Sequence, residues 1–136
     1  MSETTGLRLS HAIIASRVRA ARANLSDCTL CEWRCGVDRN RGQRGVCQAT
    51  AETRVFRELL HFGEELDLIP SHTVYLNGCN FGCIFCISGR ENDLVEVGEP
   101  LDFDAFAKRI RERQREGAIN VNFLGGEPTI HAHAIL

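Results

Sequence analysis

The chain has 136 residues, 43% of them hydrophobic and 25% charged, with a formal net charge of −2. That is the composition of one small globular unit. It excludes a disordered or fibrous chain and supplies no electrostatic reason to expect nucleic acid or a membrane surface as partner. No apolar run approaches the roughly 20 residues that span a bilayer, and the start Met1 to Thr5 lacks the basic and apolar blocks of an export leader, so the expected location is cytoplasmic. Seven cysteines in such a chain point to metal chemistry rather than disulfides, and they divide as four plus three.

The first predicted element is an amphipathic helix over His11 to Asn24, where Ile13, Ile14, Val18 and Ala21 fall near helical spacing and Arg17, Arg19 and Arg22 make a solvated face. A loop then carries Cys28, Cys31, Cys35 and Cys47, spaced C-x2-C-x3-C-x11-C. Its glycines allow the turns that return the distant fourth thiolate to the first three. Four thiolates close the coordination shell of either zinc or an iron-sulfur cluster, which gives the segment a structural or electron-relay role. Thr53 to Leu60 reads as a strand. Glu64, Glu65 and Asp67 follow in a turn-like stretch ending at Pro70, and adjacent carboxylates without a partner read as solvated.

The β-branched run His72 to Gly78 reads as a strand that delivers Cys79, Cys83 and Cys86, spaced C-x3-C-x2-C. Three thiolates on one short loop can hold three corners of a cubane iron-sulfur cluster and leave the fourth iron open to a ligand. After a polar stretch, Ser88 to Pro100, a helix runs from about Asp102 to Glu116. Asp102 is its N-cap, Phe103, Phe106, Ala107 and Ile110 form its apolar stripe, and Gly117 stops it. Arg109, Arg111, Arg113 and Arg115 sit on its outer face, read as solvation or, more sharply, as a docking surface for an acidic electron donor. Ile119 to Leu124 is the next strand, and it runs into Gly125-Gly126-Glu127-Pro128-Thr129. Two glycines let a ligand approach the backbone, and the glutamate can accept a hydrogen bond from a ligand ammonium group. His131 and His133 begin a second helix, pointing apart, rather than binding metal. Strand, helix, strand makes a parallel βαβ unit that places both motifs at carboxyl ends of strands.

The cysteine loop and the Gly-Gly-Glu segment together resemble the radical S-adenosylmethionine (radical SAM) superfamily. The resemblance implies that Cys79, Cys83 and Cys86 bind a [4Fe-4S] cluster whose fourth iron is chelated by SAM. It puts Gly125, Gly126, Glu127 and Pro128 at the methionyl end of SAM and Phe85 near the adenine. It further implies an enzyme that passes one electron into SAM, yielding methionine and a 5′-deoxyadenosyl radical, with a low-potential flavodoxin or ferredoxin as donor. The four-cysteine segment, Cys35-Gly36-Val37-Asp38-Arg39 through Gly42 and Gly45 to Cys47, is similar to that of a subgroup related to the pyruvate formate-lyase activating enzyme. Glu32, Trp33 and Asp38 depart from it where Pro, Arg and Asn would stand. That subgroup acts on a partner protein, which it converts to a glycyl radical.

The expected fold class is therefore α/β: the first βαβ unit of a partial (β/α)6 barrel, residues 69–136, preceded by a helix and a cysteine-rich metal-binding extension, residues 1–68. At roughly 30 residues per unit the whole barrel needs a much longer chain, so truncation is expected and the isolated chain is expected to be inactive. The reading from a different class is a non-catalytic zinc or iron-sulfur module, a remnant of such an enzyme.

Overall fold

The computed structural model describes residues 10–94 and 96–136, apart from the side chains of residues 91 and 93. The start of the chain, and the leader reading that rests on it, lies outside the described residues. Helix α1 (His11–Ala23) is capped by Ser10, whose hydroxyl accepts the Ile13 N–H at 3.4 Å. It has no fully buried residue: Val18 and Ala21 of its predicted apolar face are half-buried, where the helix meets residues 132–135, while Ile13 and Ile14 are exposed. Among the described residues no helix is long and apolar enough to cross a membrane.

Four strands form one sheet in the order β3 (Glu99–Pro100), β1 (Arg54–His61), β2 (Ser71–Leu76), β4 (Asn120–Gly125). β1 runs antiparallel to both β3 and β2, whereas β2 and β4 are parallel, with Ser71 opposite Asn120 and Leu76 opposite Gly125. The parallel pair joined through helix α3 (Phe103–Arg115) is the βαβ unit expected from the pattern. The connection also carries a short helix, α2 (Gly89–Asp93), before β3 returns to β1.

Asp102 caps α3 by accepting the Asp104 and Ala105 N–H groups, each at 3.0 Å. Phe106 and Ile110 then lie on Val74, Leu76, Val121 and Phe123, the core of the molecule. Burial of such side chains stabilises by about 1.5–3 kcal/mol each. Phe103, one turn nearer the N-terminus, stays exposed. The outer-face reading of Arg109 needs correction: its Nε donates to Glu58 Oε2 at 2.8 Å, while Glu58 Oε1 meets His72 Nε2 at 2.9 Å. Glu58 stands opposite Val74 on the helix-covered face of the sheet. A carboxylate there needs a cation, and α3 supplies it. Arg113 pairs with Glu116 at 2.6 Å.

The opposite sheet face is polar. Ser71 Oγ donates to Asn120 Oδ1 at 2.7 Å, Asn120 Nδ2 to the Leu68 carbonyl at 2.8 Å, and Asn122 Nδ2 to Glu64 Oε1 at 2.9 Å. Glu64 is thus bound to a strand rather than solvated, because the turn folds back over amides that need partners. Glu65 and Asp67 are exposed as expected.

A one-turn 3-10 helix (Pro128–His131) leads into helix α4 (Ala132–Ile135). Both histidines are buried and bound to neighbours. His131 Nε2 donates to the Asn77 carbonyl at 2.8 Å and its Nδ1 accepts from Thr53 Oγ1 at 3.0 Å, while His133 Nε2 donates to the Ala51 carbonyl at 2.9 Å. Their rings lie 6.2 Å apart, centre to centre. Burial above all, with Arg39 and His133 adding to it, pushes His131 down to about 4, against the opposing pull of the Asn77 bond. A histidine charged more easily unfolded than folded stabilises the fold fully above pH 6.5, and that contribution, about 3 kcal/mol, is lost as pH falls toward 4. Urea titrations at pH 7.5 and pH 4 should show this loss, and His131→Gln, which keeps a neutral donor and acceptor, should remove most of it. An equal loss in the variant would place the acid sensitivity elsewhere.

Candidate metal and cofactor site

Cys28, Cys31, Cys35 and Cys47 line a single small cavity whose apolar wall is Leu30, Val37, Val46 and Ile130 and whose charged lining residue is Arg39. The loop reaches this shape through its backbone. Cys28 N–H donates to the Val37 carbonyl at 3.1 Å and Gly36 N–H returns to the Cys28 carbonyl at 3.0 Å, which places the first thiol beside the third. Asp38 then caps a one-turn 3-10 helix (Arg39–Arg41), accepting the Asn40 N–H at 3.0 Å and the Arg41 N–H at 3.3 Å. The departure at Asp38 therefore keeps the capping function of an asparagine. A Cβ at Gly45 would lie 2.6 Å from Cys35 Sγ, so only glycine lets the returning chain pass that thiol. Burial raises the Cys47 pKa, Cys28 and Cys31 add to that rise, and Arg39 opposes it.

Cys79, Cys83 and Cys86 line a second, open pocket with Gly82, Asn92 and the backbone around Cys47. The Phe81 N–H donates to Cys79 Sγ at 3.4 Å, and Asn92 Nδ2 donates to Cys86 Sγ at 3.7 Å. Asn92 Oδ1 is buried without a partner. Burial raises the Cys79 pKa, with the Cys86, Glu127 and Cys83 charges adding to it and the Phe81 N–H opposing it. Metal uptake must therefore displace thiol protons in both pockets. Phe85 is 83% exposed and does not line this pocket. All seven cysteines are free, and no three metal-ligating side chains among the described residues are drawn in around one ion position. The donor sets nonetheless fit clusters, which spread their thiolates over different irons: Cys79, Cys83 and Cys86 beside open space in one pocket, with Cys47 at its margin, and four thiols around a small cavity in the other.

Parallel pairing brings Gly125-Gly126-Glu127 to the strand edge from which the cysteine loop leaves. The two glycines have a reason that the sequence reading did not contain. A Cβ at Gly125 would lie 2.7 Å from the Leu76 carbonyl oxygen, and one at Gly126 would fall on the Gly78 carbonyl oxygen. Gly126 N–H donates to the Leu76 carbonyl at 2.6 Å and Glu127 N–H to the Gly78 carbonyl at 3.1 Å. The Glu127 carboxylate caps the following turn, Oε1 accepting the Thr129 N–H at 3.0 Å and its hydroxyl at 2.6 Å, with Pro128 at the first turn position.

Two further bonds tie the cysteine segments together. Cys79 N–H donates to the Cys47 carbonyl at 3.1 Å, and Trp33 Nε1 donates to the Asn80 carbonyl at 3.0 Å. Sequence reasoning named Trp33 only as a departure from the subgroup pattern, and that departure was its signal. Asn92 and the buried Arg39 were not singled out. An asparagine on a polar stretch and an arginine between glycines both read as surface.

Residues 73–136 match the Radical SAM superfamily. The chain is also similar to an uncharacterized protein of Methanocaldococcus jannaschii, 39% identical over 126 residues that cover 88% of this chain and 36% of the relative. The chain thus spans about a third of the length of the curated relative it matches. No solved structure matches it.

Proposed function

We propose that this chain is the cluster-binding portion of a radical SAM enzyme, with Cys79, Cys83 and Cys86 as [4Fe-4S] ligands and Gly125, Gly126, Glu127 and Pro128 on the SAM side. The observation that supports this best is the convergence of three thiols and the Gly-Gly-Glu segment at the carboxyl ends of two adjacent parallel strands, with Glu127 close enough to Cys79 to raise its pKa. The cluster, when bound, supplies the electron that cleaves SAM into methionine and a 5′-deoxyadenosyl radical. The chain's own part is to hold the thiolates on a short loop, offer the Glu127 carboxylate to the SAM ammonium, and keep one side of the pocket open. In the proposed reaction a flavodoxin or ferredoxin delivers the electron, and a partner protein is the radical's target, as the subgroup resemblance suggests. Anaerobic reconstitution with iron and sulfide, followed by electron paramagnetic resonance of the reduced protein with and without SAM, tests the reading. A signal that SAM shifts supports it, and a signal indifferent to SAM overturns it.

Glu127 separates the cofactor role from the local one. Glu127→Ala should cost the turn about 1 kcal/mol as a lost cap. Glu127→Gln keeps an acceptor for Thr129 and removes the charge. Its stability should match the parent chain while SAM affinity falls about ten- to a hundredfold, the worth of a charge-assisted bond of about 1.5–3 kcal/mol. Equilibrium dialysis with labelled SAM reads this directly, and an unchanged affinity in Glu127→Gln would leave the residue only its cap.

We further propose that Cys28, Cys31, Cys35 and Cys47 hold a separate, closed metal centre, zinc or iron-sulfur, in which four thiolates leave no position for substrate. Metal analysis after reconstitution distinguishes these, and zinc alone, without SAM chemistry, is the result that would favour a binding module over an enzyme.

A further inference from the structure

Arg39 is 1% exposed, yet all three of its hydrogen bonds go to neutral carbonyls. Nε and Nη2 donate to Thr50 O at 3.2 and 2.8 Å, and Nη1 donates to Ile130 O at 2.8 Å. No carboxylate among the described residues pairs with it. The nearby acids are committed elsewhere: Asp38 to its own turn and to Arg41 at 3.3 Å, Glu52 to Arg54 at 2.7 Å. The neighbouring histidines, His131 and His133, can supply no negative charge in either protonation state. A guanidinium cannot shed its proton to escape burial. An uncompensated ion in such a place is strongly disfavoured, and native structures retain such ions where an opposite charge completes them.

The thiol cavity offers a candidate for the missing anion. Arg39 lines two cavities: a polar one whose carboxylates, Glu52 and Glu96, pair with Arg54 and Arg44, and the one lined by all four thiols of the N-terminal segment. While those thiols are protonated they offer Arg39 no negative charge. Once they hold zinc, or an oxidised [4Fe-4S] cluster, the centre is doubly negative. We infer that Arg39 is the built-in counter-ion of an anionic four-thiolate centre: its buried charge is unmatched in the metal-free chain and matched in the loaded one, so it favours metal uptake and penalises the empty state. The inference rests on the four-thiolate reading proposed above. Arg39 acts here as a positioning and charge-balancing residue, since its nitrogens bond to carbonyls and not to the thiols.

The test titrates zinc into the reduced full chain with Cys79, Cys83 and Cys86 replaced by serine, so that only the four thiols remain. Affinity is read by chelator competition and stability by thermal unfolding with and without zinc. Arg39→Met should weaken zinc at least tenfold at unchanged stoichiometry and shrink the zinc-induced rise in Tm, while Arg39→Lys, which keeps the charge, should recover most of both. A purely structural arginine would lower the Tm of the empty and loaded chains alike and leave affinity untouched. Arg39→Gln, which retains a donor for Thr50 or Ile130, provides the neutral variant if Arg39→Met does not fold. Equal zinc affinity in the neutral variant and the parent, or a lysine variant as weak as the neutral one, overturns the counter-ion role. Cys31→Ser in the same titration probes the underlying reading separately. Undiminished zinc binding in that variant would overturn the four-thiolate centre itself, and with it the role of Arg39.

Discussion

Cys83→Ala is expected to abolish the SAM-responsive cluster while leaving the fold intact. Cys83 is exposed, and its carbonyl accepts the Cys86 N–H at 3.1 Å. Deleting its sulfur removes no packing, so unfolding in urea should shift by no more than about 0.5 kcal/mol. Two remaining thiolates cannot anchor a cubane that already lacks a fourth protein ligand, so iron and sulfide retained after desalting should drop to background for the three-cysteine pocket. The four thiols of the N-terminal cavity are untouched by this change, so metal held there should be retained. Iron analysis alongside paramagnetic resonance reads both sites, and a SAM-shifted signal surviving in Cys83→Ala would remove this residue from the ligand set. Cys86→Ala is the less clean variant, since it also strips Asn92 of a contact.

The largest stability effect should come from Gly126→Ala. The added Cβ would fall on the Gly78 carbonyl oxygen and 2.8 Å from its carbon, both of them backbone atoms of a neighbouring segment that cannot swing aside. Relief requires separating β4 from the end of β2, which breaks the bonds from Gly126 N–H to Leu76 and from Glu127 N–H to Gly78. A loss on the order of 3 kcal/mol is expected in chemical denaturation. Gly82→Ala is the matched control: nothing lies within 4 Å of its Cβ position, and the change should be nearly neutral for stability. Equal stability of the two variants would refute the close approach. Weak SAM binding in Gly126→Ala is evidence about the fold before it is evidence about the ligand.

The contrast between these glycines shows what the sequence disclosed. Local rules located α1, α3, β1, β2 and β4 because each depends on neighbours in the chain: a cap at Asp102, a stop at Gly117, a stripe centred on Phe106 and Ile110, β-branched runs before each motif. They also located the glycine pair before Glu127, but not its cause. The steric need at Gly126 is set by Gly78, and only pairing reveals that contact. The same limit applies to Arg39, Arg109 and Glu64. Each is a charged side chain on a polar stretch, and its burial or partner was set by a distant element: Ile130 for the first, Glu58 for the second, Asn122 for the third. Strand β3 was illegible for another reason, since a two-residue strand has no periodicity to read. In the candidate site, spacing grouped the seven cysteines as four and three; the first four line one cavity and the last three line another, but Cys47 lines both, an overlap that spacing alone did not show.

The bond from Cys79 N–H to the Cys47 carbonyl makes neighbours of the last residue of one thiol set and the first of the other. Whatever fixes the backbone at Cys47 narrows the conformations open to Cys79, and the reverse holds to the same degree, because a coupling free energy is reciprocal. On the proposed reading of the two pockets, filling the N-terminal one would lower the ordering cost of filling the other, and Trp33 on Asn80 adds a second tether to the same loop. On that reading, a chain starved of metal at its first four cysteines would be a poor acceptor for a cluster at its last three.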